Sequence, residues 1–507
     1  MRGTLRERLL ASAHRNATAS ALWVDGRQWD YATLFADAGR LAEQIDREVA
    51  PGLPLGILCQ RDRISYLGIL AAVLSGRPYV PLNPGFPAER LQAIAGLAGL
   101  GAILCSAETR EAALGLIAEL PVQVVLFGEE GEVCGTGTGR DQKANVAAAT
   151  EDRTAYFMFT SGTTGTPKGV RVLERNLLAY LDGIAPITGL GPTDRCTQFF
   201  DLSFDLSVHD IFVTFCAGAE LSVLPKQRSM EVVDFVAERG ITCWFSVPSL
   251  AAFSDRLGHL RPDALPGLRL ALFCGEPLAV ALARRFAEAA PKARLWNLYG
   301  PTEATIALTA YEISRPDQLD DLAVVPLGFP IGDQQYRIEG DGTAAGELLL
   351  GGSQVTPGYI NNPEQNASRF FHDADSDMRF YRTGDLAEPS ASFGALFRGR
   401  IDDQVKINGY RVELMEIDAV LRVAADTPEV AAIPWPVSTT GHADQVVAFV
   451  TNPKATVAEI KKYCRRQLPV YMVPRRIVTI DRMPLSASGK IDRKALKQRL
   501  EDSKAGG

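Results

Sequence analysis

The chain has 507 residues, enough for a large core and more than one domain. Hydrophobic residues make up 46% and charged residues 22%, an ordinary balance for a globular protein, and the net charge of −7 argues against a general nucleic-acid binder and for a soluble cytoplasmic protein. The eight cysteines include no C-x-x-C pair and no cluster with His at zinc spacing, so they read as reduced thiols, and the N-terminus lacks the apolar core of a signal peptide.

Up to about Asp152, helical and strand patterns alternate. Leu34 to Val49 carries apolar residues at helical spacing and reads as an amphipathic helix. Pro54 to Cys59 reads as a strand, Ser65 to Ser75 as the helix after it, and Tyr79 to Leu82 as the next strand. Leu67 to Leu74 is too short to span a bilayer and suits a buried helix. Strand, helix, strand is a parallel α/β unit. Gly128 to Ala149 is Gly-rich and polar, the composition of an exposed loop.

The most informative stretch is Tyr156 to Val170. A short apolar run, Tyr156 to Phe159, reads as a buried strand that empties into a loop of hydroxyl residues and glycines carrying Lys168. Glycines let a backbone approach an anion, and successive N–H groups form an anion-binding nest. Thr160, Ser161, Thr163 and Thr164 add hydroxyl donors, Gly162 adds a close backbone approach, and Lys168 adds a point charge. The loop suits a polyphosphate. It is not a Walker loop, because Pro167 precedes the Lys and Gly169 stands where Ser or Thr is required. The run Thr160 to Gly169 resembles the phosphate loop of the adenylate-forming enzymes, the superfamily of acyl-CoA ligases, luciferases and the adenylation domains of nonribosomal peptide synthetases. Gly76 to Pro84 also resembles a segment of that family, with Asn83 where Asp is usual.

Further along, Asp205 sits between apolar neighbours in Phe204 to His209. It reads either as a helix N-cap or as a buried carboxylate with a charged partner. The resemblance favours the second, since amino-acid-activating members use an Asp there to pair with the substrate ammonium, with Phe204 bordering the same site. Trp244 to Ser249 and Leu270 to Glu276 read as strands ending in turns. Ligands of open α/β sheets bind at such strand ends. The resemblance places Gly275, Glu276 and Pro277 beside the adenine.

In Asn297 to Thr305, Gly300-Pro301 forces a turn after a short strand. Tyr299 offers a face to a purine, Thr302 can bond a phosphate, and Glu303 can hold Mg²⁺ through a hard oxygen. By resemblance Asn297 and Gly300 belong to the same nucleotide site. Gly346 to Tyr359 suggests strands of a small β-rich subdomain. In Tyr381 to Leu386, Asp385 can accept from ribose hydroxyls, the role its family counterpart has. The polar run from Gly399 to Glu413 has the character of a hinge. The resemblance puts the pivot at Asp402, Arg400 at the ribose and Lys406 in a loop that meets the site after rotation. Pro484 to Asp492 resembles the family's catalytic Lys loop, which makes Lys490 the catalytic Lys.

Taken together, the resemblance implies an α/β protein. Residues 1–401 form a large N-terminal domain of parallel-rich sheets packed with helices, plus the small β-rich subdomain. Residues 402–507 form a small mobile α+β lid. It implies ATP and Mg²⁺, an aminoacyl-AMP intermediate, and a second step in which a thiol attacks the mixed anhydride. The pocket positions become Asp205, Leu206, His209, Ser246, Leu272, Cys274, Leu298, Ile306 and Ala307, closed by Lys490. That lining is mainly apolar, with small polar points at Ser246 and Cys274, so a neutral, small-to-medium amino acid fits: proline first, because Phe204 to His209 and Phe273 to Glu276 resemble free-standing prolyl ligases, with Ser, Cys, Thr or a nonproteinogenic relative open; His209 reads equally as a core residue. With little chain beyond Lys490, the expected thiol is the phosphopantetheine of a separate carrier protein, as in a free-standing adenylation enzyme. An acyl-CoA ligase and a non-catalytic nucleotide-binding homologue are the alternatives. Asp205 disfavours the first. The presence of Lys168, Glu303, Asp385 and Lys490 disfavours the second.

Overall fold

The computed structural model describes residues 3–505 except 59, 121–123, 130–131, 138–152, 162–166, 315, 341–343, 403, 408, 438–442 and 486–490. It divides into two compact units, the first of Met1–Pro84, Ile94–Phe159 and Gly169–Ile401, the second of Gly85–Ala93, Thr160–Lys168 and Asp402–Gly507. The second unit thus takes in two short upstream segments beyond the expected 402–507.

Among the described residues the first unit is built on two large sheets and one small one. One sheet has nine strands, in the order Phe329–Pro330, Thr309–Glu312, Arg294–Tyr299, Leu270–Phe273, Cys243–Ser246, Arg195–Gln198, Glu220–Val223, Ser20–Val24 and Arg27–Asp30. From Arg294–Tyr299 to Ser20–Val24 every pairing is parallel; antiparallel strands close both edges. The second sheet has eight strands and a parallel centre in which Tyr79–Pro81 and Leu55–Leu58 are neighbours, as the strand–helix–strand pattern predicts. Five antiparallel strands between Gln335 and Arg400 make the small sheet.

Two helices, Arg63–Leu74 and Leu206–Ala217, are buried nearly all round, and residues of both join one apolar cluster with Leu55, Tyr156, Phe245 and Leu272 from the two large sheets. A helix without a polar face is stable only in such an interior. Its ends still need partners. Asp62 accepts from Ser65 N (3.0 Å) at the start of the first, and Gly218, at φ +77, closes the second.

The expected exposed loop, Gly128 to Ala149, requires correction. Val133–Thr136 is a strand pairing antiparallel with Val125–Phe127; it is an edge strand made by backbone pairing, with no alternation in its side chains to announce it. Residues 138–149 lie outside the described residues.

In the second unit Tyr410–Glu413, Gln404–Ile407, Ala443–Thr451, Val430–Val437 and Arg476–Ile480 form a mixed sheet, covered by the helices Leu414–Ala425, Val457–Gln467 and Arg493–Ala505. Buried Asp418 ties them, accepting from Ala432 N (2.7 Å) and from Arg493 Nη2 (2.5 Å). Among the described residues no helix is long and apolar enough to cross a membrane.

Candidate active site

The parallel strands Cys243–Ser246, Leu270–Phe273 and Arg294–Tyr299 end side by side, with Ser246 paired to Phe273 and Phe273 to Asn297. The turns that follow the second and third carry Cys274 to Pro277 and Gly300, Thr302, Glu303, Ile306 and Ala307, at the position where open parallel sheets bind ligands.

Tyr299 closes the third of these strands. Its hydroxyl donates to Asp385 Oδ2, while Arg400 Nη1 donates to Asp385 Oδ1. Asp385 and Arg400 stand opposite each other on the antiparallel strands Met378–Ser390 and Gly394–Arg400, so register brings them together. Burial, then the neighbouring carboxylate, pushes the Tyr299 phenol far above its ordinary value; it stays protonated and donates. Asp385 is further set by its N–H, which donates to Thr383 Oγ1 (2.9 Å), itself bonded to Leu348 O (2.7 Å). Each carboxylate oxygen has two acceptor positions, so a ribose hydroxyl can join the donors already present.

The turn after Tyr299 is tightly constrained. A Cβ on Gly300 would lie 2.7 Å from Ala307 Cα, so only glycine fits. Thr305 and Ile306 take φ +57 and +72, a left-handed pair that β-branched side chains avoid. Gln354 holds this turn: its Nε2 donates to Ala307 O (2.8 Å), and Thr305 Oγ1 donates to Gln354 O (2.6 Å). Strained turns of this kind persist only where the surroundings over-determine them, and they cluster at functional sites. Inside the turn Glu303 is 1% exposed and its Oε1 accepts from the Tyr359 hydroxyl at 2.6 Å. Thr302, half-buried, precedes it. A buried carboxylate that accepts from Tyr359 suits Mg²⁺, which takes one or two carboxylates alongside substrate phosphates and water.

Gly275 has φ +89, the left-handed region a glycine is needed for, and turns the chain into Glu276 and Pro277. Glu276 Oε2 accepts from Ser249 N (2.8 Å), tying two strand ends together.

Asp205 is 8% exposed and occupies the position before the helix Leu206–Ala217, yet its side chain makes no capping hydrogen bond. The N-cap reading of the sequence is therefore set aside. Beside it, Tyr180 is hydrogen-bonded to His209 Nδ1 at 2.6 Å, and the His209 ring lies 4.3 Å from that of Phe245. Burial drops the imidazole to about 3, so His209 is neutral. Leu206, Leu272, Cys274, Leu298, Ile306 and Ala307 are buried in the same cluster, and Phe204 is packed against it.

One expected residue is turned elsewhere. Ser246 accepts from Trp244 Nε1 (2.7 Å) and donates to Val247 O (3.0 Å), on the face of its strand where Trp244 packs with Ala271 and Phe273. Alternation along a strand separates that face from Phe245 and Leu272. Asn297 donates its Nδ2 to Pro326 O (2.8 Å), which fixes the amide, and its buried Oδ1 has no hydrogen-bond partner in the structure.

In the second unit, Thr160 ends its strand and Ser161 Oγ donates to Arg411 O (2.8 Å). Lys168 Nζ lies 3.6 Å from Glu413 Oε1, and Lys406 stands opposite Arg411 in the strand Gln404–Ile407. Gly162, Thr163, Thr164 and Lys490 lie outside the described residues. Sequence reading missed Tyr180, Gln354 and Tyr359 as site residues, since each gains its partner only through a contact distant in the chain.

The AMP-binding enzyme family matches residues 9–360, and the AMP-binding enzyme C-terminal domain matches residues 416–490. A D-alanine–D-alanyl carrier protein ligase from Lacticaseibacillus casei is 33% identical over 503 residues, covering 96% of each chain. Surfactin synthase subunit 2 from Bacillus subtilis is 32% identical over 501 residues, 96% of this chain and 13% of that protein. The crystal structure of the Vibrio cholerae adenylation domain AlmE, in complex with glycyl-adenosine-5'-phosphate, matches with a TM-score of 0.88 and 31% identity over 98% of both chains. Family, fold and the geometry at the strand ends agree: the chain belongs to the AMP-binding enzymes, the adenylate-forming superfamily.

Proposed function

We propose that the chain joins a neutral, small-to-medium α-amino acid to AMP and then passes it to the phosphopantetheine thiol of a separate carrier protein in the cytoplasm. The observation that carries this reading is Asp205: a buried carboxylate, not engaged in capping its helix, in an apolar layer beside a neutral His209. A carboxylate in such a place is stabilised by a cation, and the ammonium of an amino acid supplies one. Among the described residues of the expected lining, Asp205 apart, none carries a charged side chain. Proline remains the first candidate; glycine and D-alanine follow from the ligands named for the AlmE structure and for the Lacticaseibacillus relative.

In the first step the amino-acid carboxylate attacks the α-phosphorus of ATP, a phosphorus–oxygen bond forms, and pyrophosphate leaves. Asp205 orients the nucleophile by its ammonium. Tyr299, Asp385 and Arg400 hold the nucleoside, with Asp385 accepting from the ribose. Thr302, Ser161 and Lys168 would bond the phosphates, and Lys490 would bridge carboxylate and phosphate as charge develops. Mg²⁺, when bound at Glu303, neutralises phosphate charge. In the second step the carrier thiolate attacks the acyl carbon, a thioester forms and AMP leaves. A turn of the lid about Asp402 would exchange Lys490 for the Lys406 segment between steps.

The test is pyrophosphate exchange across a panel of amino acids and plain carboxylic acids. Exchange with one or a few neutral amino acids is expected. Exchange with plain acids alone, or with nothing, overturns the reading.

A further inference from the structure

Tyr180, on the helix Glu174–Thr188, and His209 are both buried, and the phenol oxygen lies 2.6 Å from His209 Nδ1. Among the described residues the Tyr180 hydroxyl has no other partner. If Nδ1 carried a proton, in a neutral or a charged ring, it would donate to the phenol oxygen, and the buried phenol proton would be left without an acceptor. If the phenol donates to Nδ1, both groups are used. Burial acts in the same direction: it holds the phenol far above its ordinary value, so the proton stays on oxygen, and it keeps the imidazole neutral. A neutral imidazole has one N–H, so the contact with Tyr180 fixes the tautomer with the proton on Nε2.

Asp205 has helical backbone angles, φ −67 and ψ −16, and His209 follows it by four residues, one turn along the same face. Helical side chains lean toward the N-terminus of their helix, so the His209 ring lies over the turn that holds Asp205. The ring packs against Phe245, 4.3 Å away, whose neighbour on the next strand is Leu272. Among the described residues nothing accepts a hydrogen bond from Nε2, and it is not one of the fully enclosed unpartnered polar atoms, so this N–H borders open space. Resting on the reading of Asp205 as the ammonium anchor, we propose that His209 is a specificity-determining residue whose Nε2–H donates to a side-chain oxygen of the amino acid, and that Tyr180 is the positioning residue that holds the tautomer. The substrate is then a hydroxy amino acid of the serine or threonine type. Sequence resemblance ranks proline first, but proline, glycine and alanine bring no side-chain acceptor and leave the N–H unpaired in an apolar wall, so the hydroxy amino acids move ahead of them.

The experiment has two arms. In the first, pyrophosphate exchange by the wild type compares pairs of equal shape that differ in a hydroxyl against a methyl: serine with 2-aminobutyrate, and threonine with valine. The hydroxy member should have the higher kcat/KM by about 10- to 100-fold, the penalty for an unpaired buried donor, and serine or threonine should exceed proline and glycine. His209→Gln, whose amide N–H reaches the place of Nε2–H, should keep most of this discrimination. His209→Asn, whose shorter amide reaches only the place of Nδ1, should lose it. The ATP KM should stay constant in both. The second arm needs no activity. Long-range proton–nitrogen correlation spectra of wild type labelled at its five histidines, with His209 assigned by the signal lost in His209→Gln, should show a bare Nδ1 and a protonated Nε2. In Tyr180→Phe the two tautomers should mix; an unchanged tautomer overturns the role of Tyr180. The proposal is overturned by a protonated Nδ1 in the wild type, by preference for the methyl member or for any amino acid without a side-chain acceptor, proline and glycine included, and by equal loss in the Gln and Asn variants, which marks a packing role. Exchange with no amino acid at all defeats the reading of Asp205 itself, whereas amino-acid exchange in which the hydroxyl gives no advantage defeats only this inference.

Discussion

The hydroxyl of Tyr359 donates to Glu303 Oε1 at 2.6 Å, and both side chains are buried. Tyr359 comes from a short strand paired with Lys168–Leu173, and Glu303 from the turn after Arg294–Tyr299. The bond therefore joins the edge of one large sheet to the strand ends of the other, and it orients the carboxylate proposed to hold Mg²⁺. Tyr359→Phe should lower stability by about 1–3 kcal/mol, the cost of a buried acceptor losing a donor. It should also raise the Mg²⁺ concentration needed for half-maximal exchange. Denaturant melts and a Mg²⁺ titration measure the two effects, and an unchanged Mg²⁺ requirement would count against the metal role of Glu303.

Asp385 takes the Tyr299 hydroxyl on one oxygen and the Arg400 guanidinium on the other. Asp385→Asn keeps the shape and removes the charge. ATP KM should rise about 10- to 100-fold, the value of a charge-assisted hydrogen bond, with the amino-acid KM little changed. Nucleotide titration by calorimetry checks the binding part directly; equal loss for both substrates would place Asp385 outside the nucleotide site.

Removal of the Asp205 carboxylate should act on the other substrate. Truncating one member of a buried charge pair costs about 2–5 kcal/mol. Asp205→Ala should therefore lose at least about 30-fold in kcat/KM for the amino acid while still binding ATP. Its preference for the amino acid over the plain acid of the same size should narrow. Retained preference would mean that another group reads the ammonium.

His209 gives a stability signature. Its imidazole is held neutral down to about pH 3, against an ordinary value of 6.5. Between those limits the unfolded chain binds a proton that the folded chain refuses. Stability contributed by His209 is thus present above about pH 6.5 and is lost as pH falls toward 3, at up to about 1.4 kcal/mol per unit. His209→Gln, which keeps an acceptor for Tyr180, should show a shallower fall than wild type in urea melts from pH 7 to 4. Parallel curves would show that the imidazole titrates normally.

Gly300→Ala tests the turn. With a Cβ only 2.7 Å from backbone, Ala307 must move, and Ile306 and Thr305 with it. Overpacking of this kind costs about 1–3 kcal/mol. Exchange activity should fall further than stability does, because Thr302 and Glu303 sit on the displaced segment; a fully active variant would show that the turn tolerates the shift.

Contiguous stretches were legible from the chain alone. The alternating strand–helix order, the Asn297–Thr305 turn and the buried acid at Asp205 are properties of local composition, because propensity, hydrophobic period and turn chemistry act over a few residues. What local composition could not supply was partnership. Ser246 reads as a pocket hydroxyl, yet strand alternation and Trp244 take it to the other face. Tyr180, Tyr359 and Gln354 carry no signal in their own neighbourhoods; each meets its partner because sheets and helices distant in sequence pack in one register. The residue types that can do chemistry are written along the chain. Which of them are satisfied was decided only by long-range packing, since a hydrogen bond depends on ångström-scale geometry that no local pattern encodes.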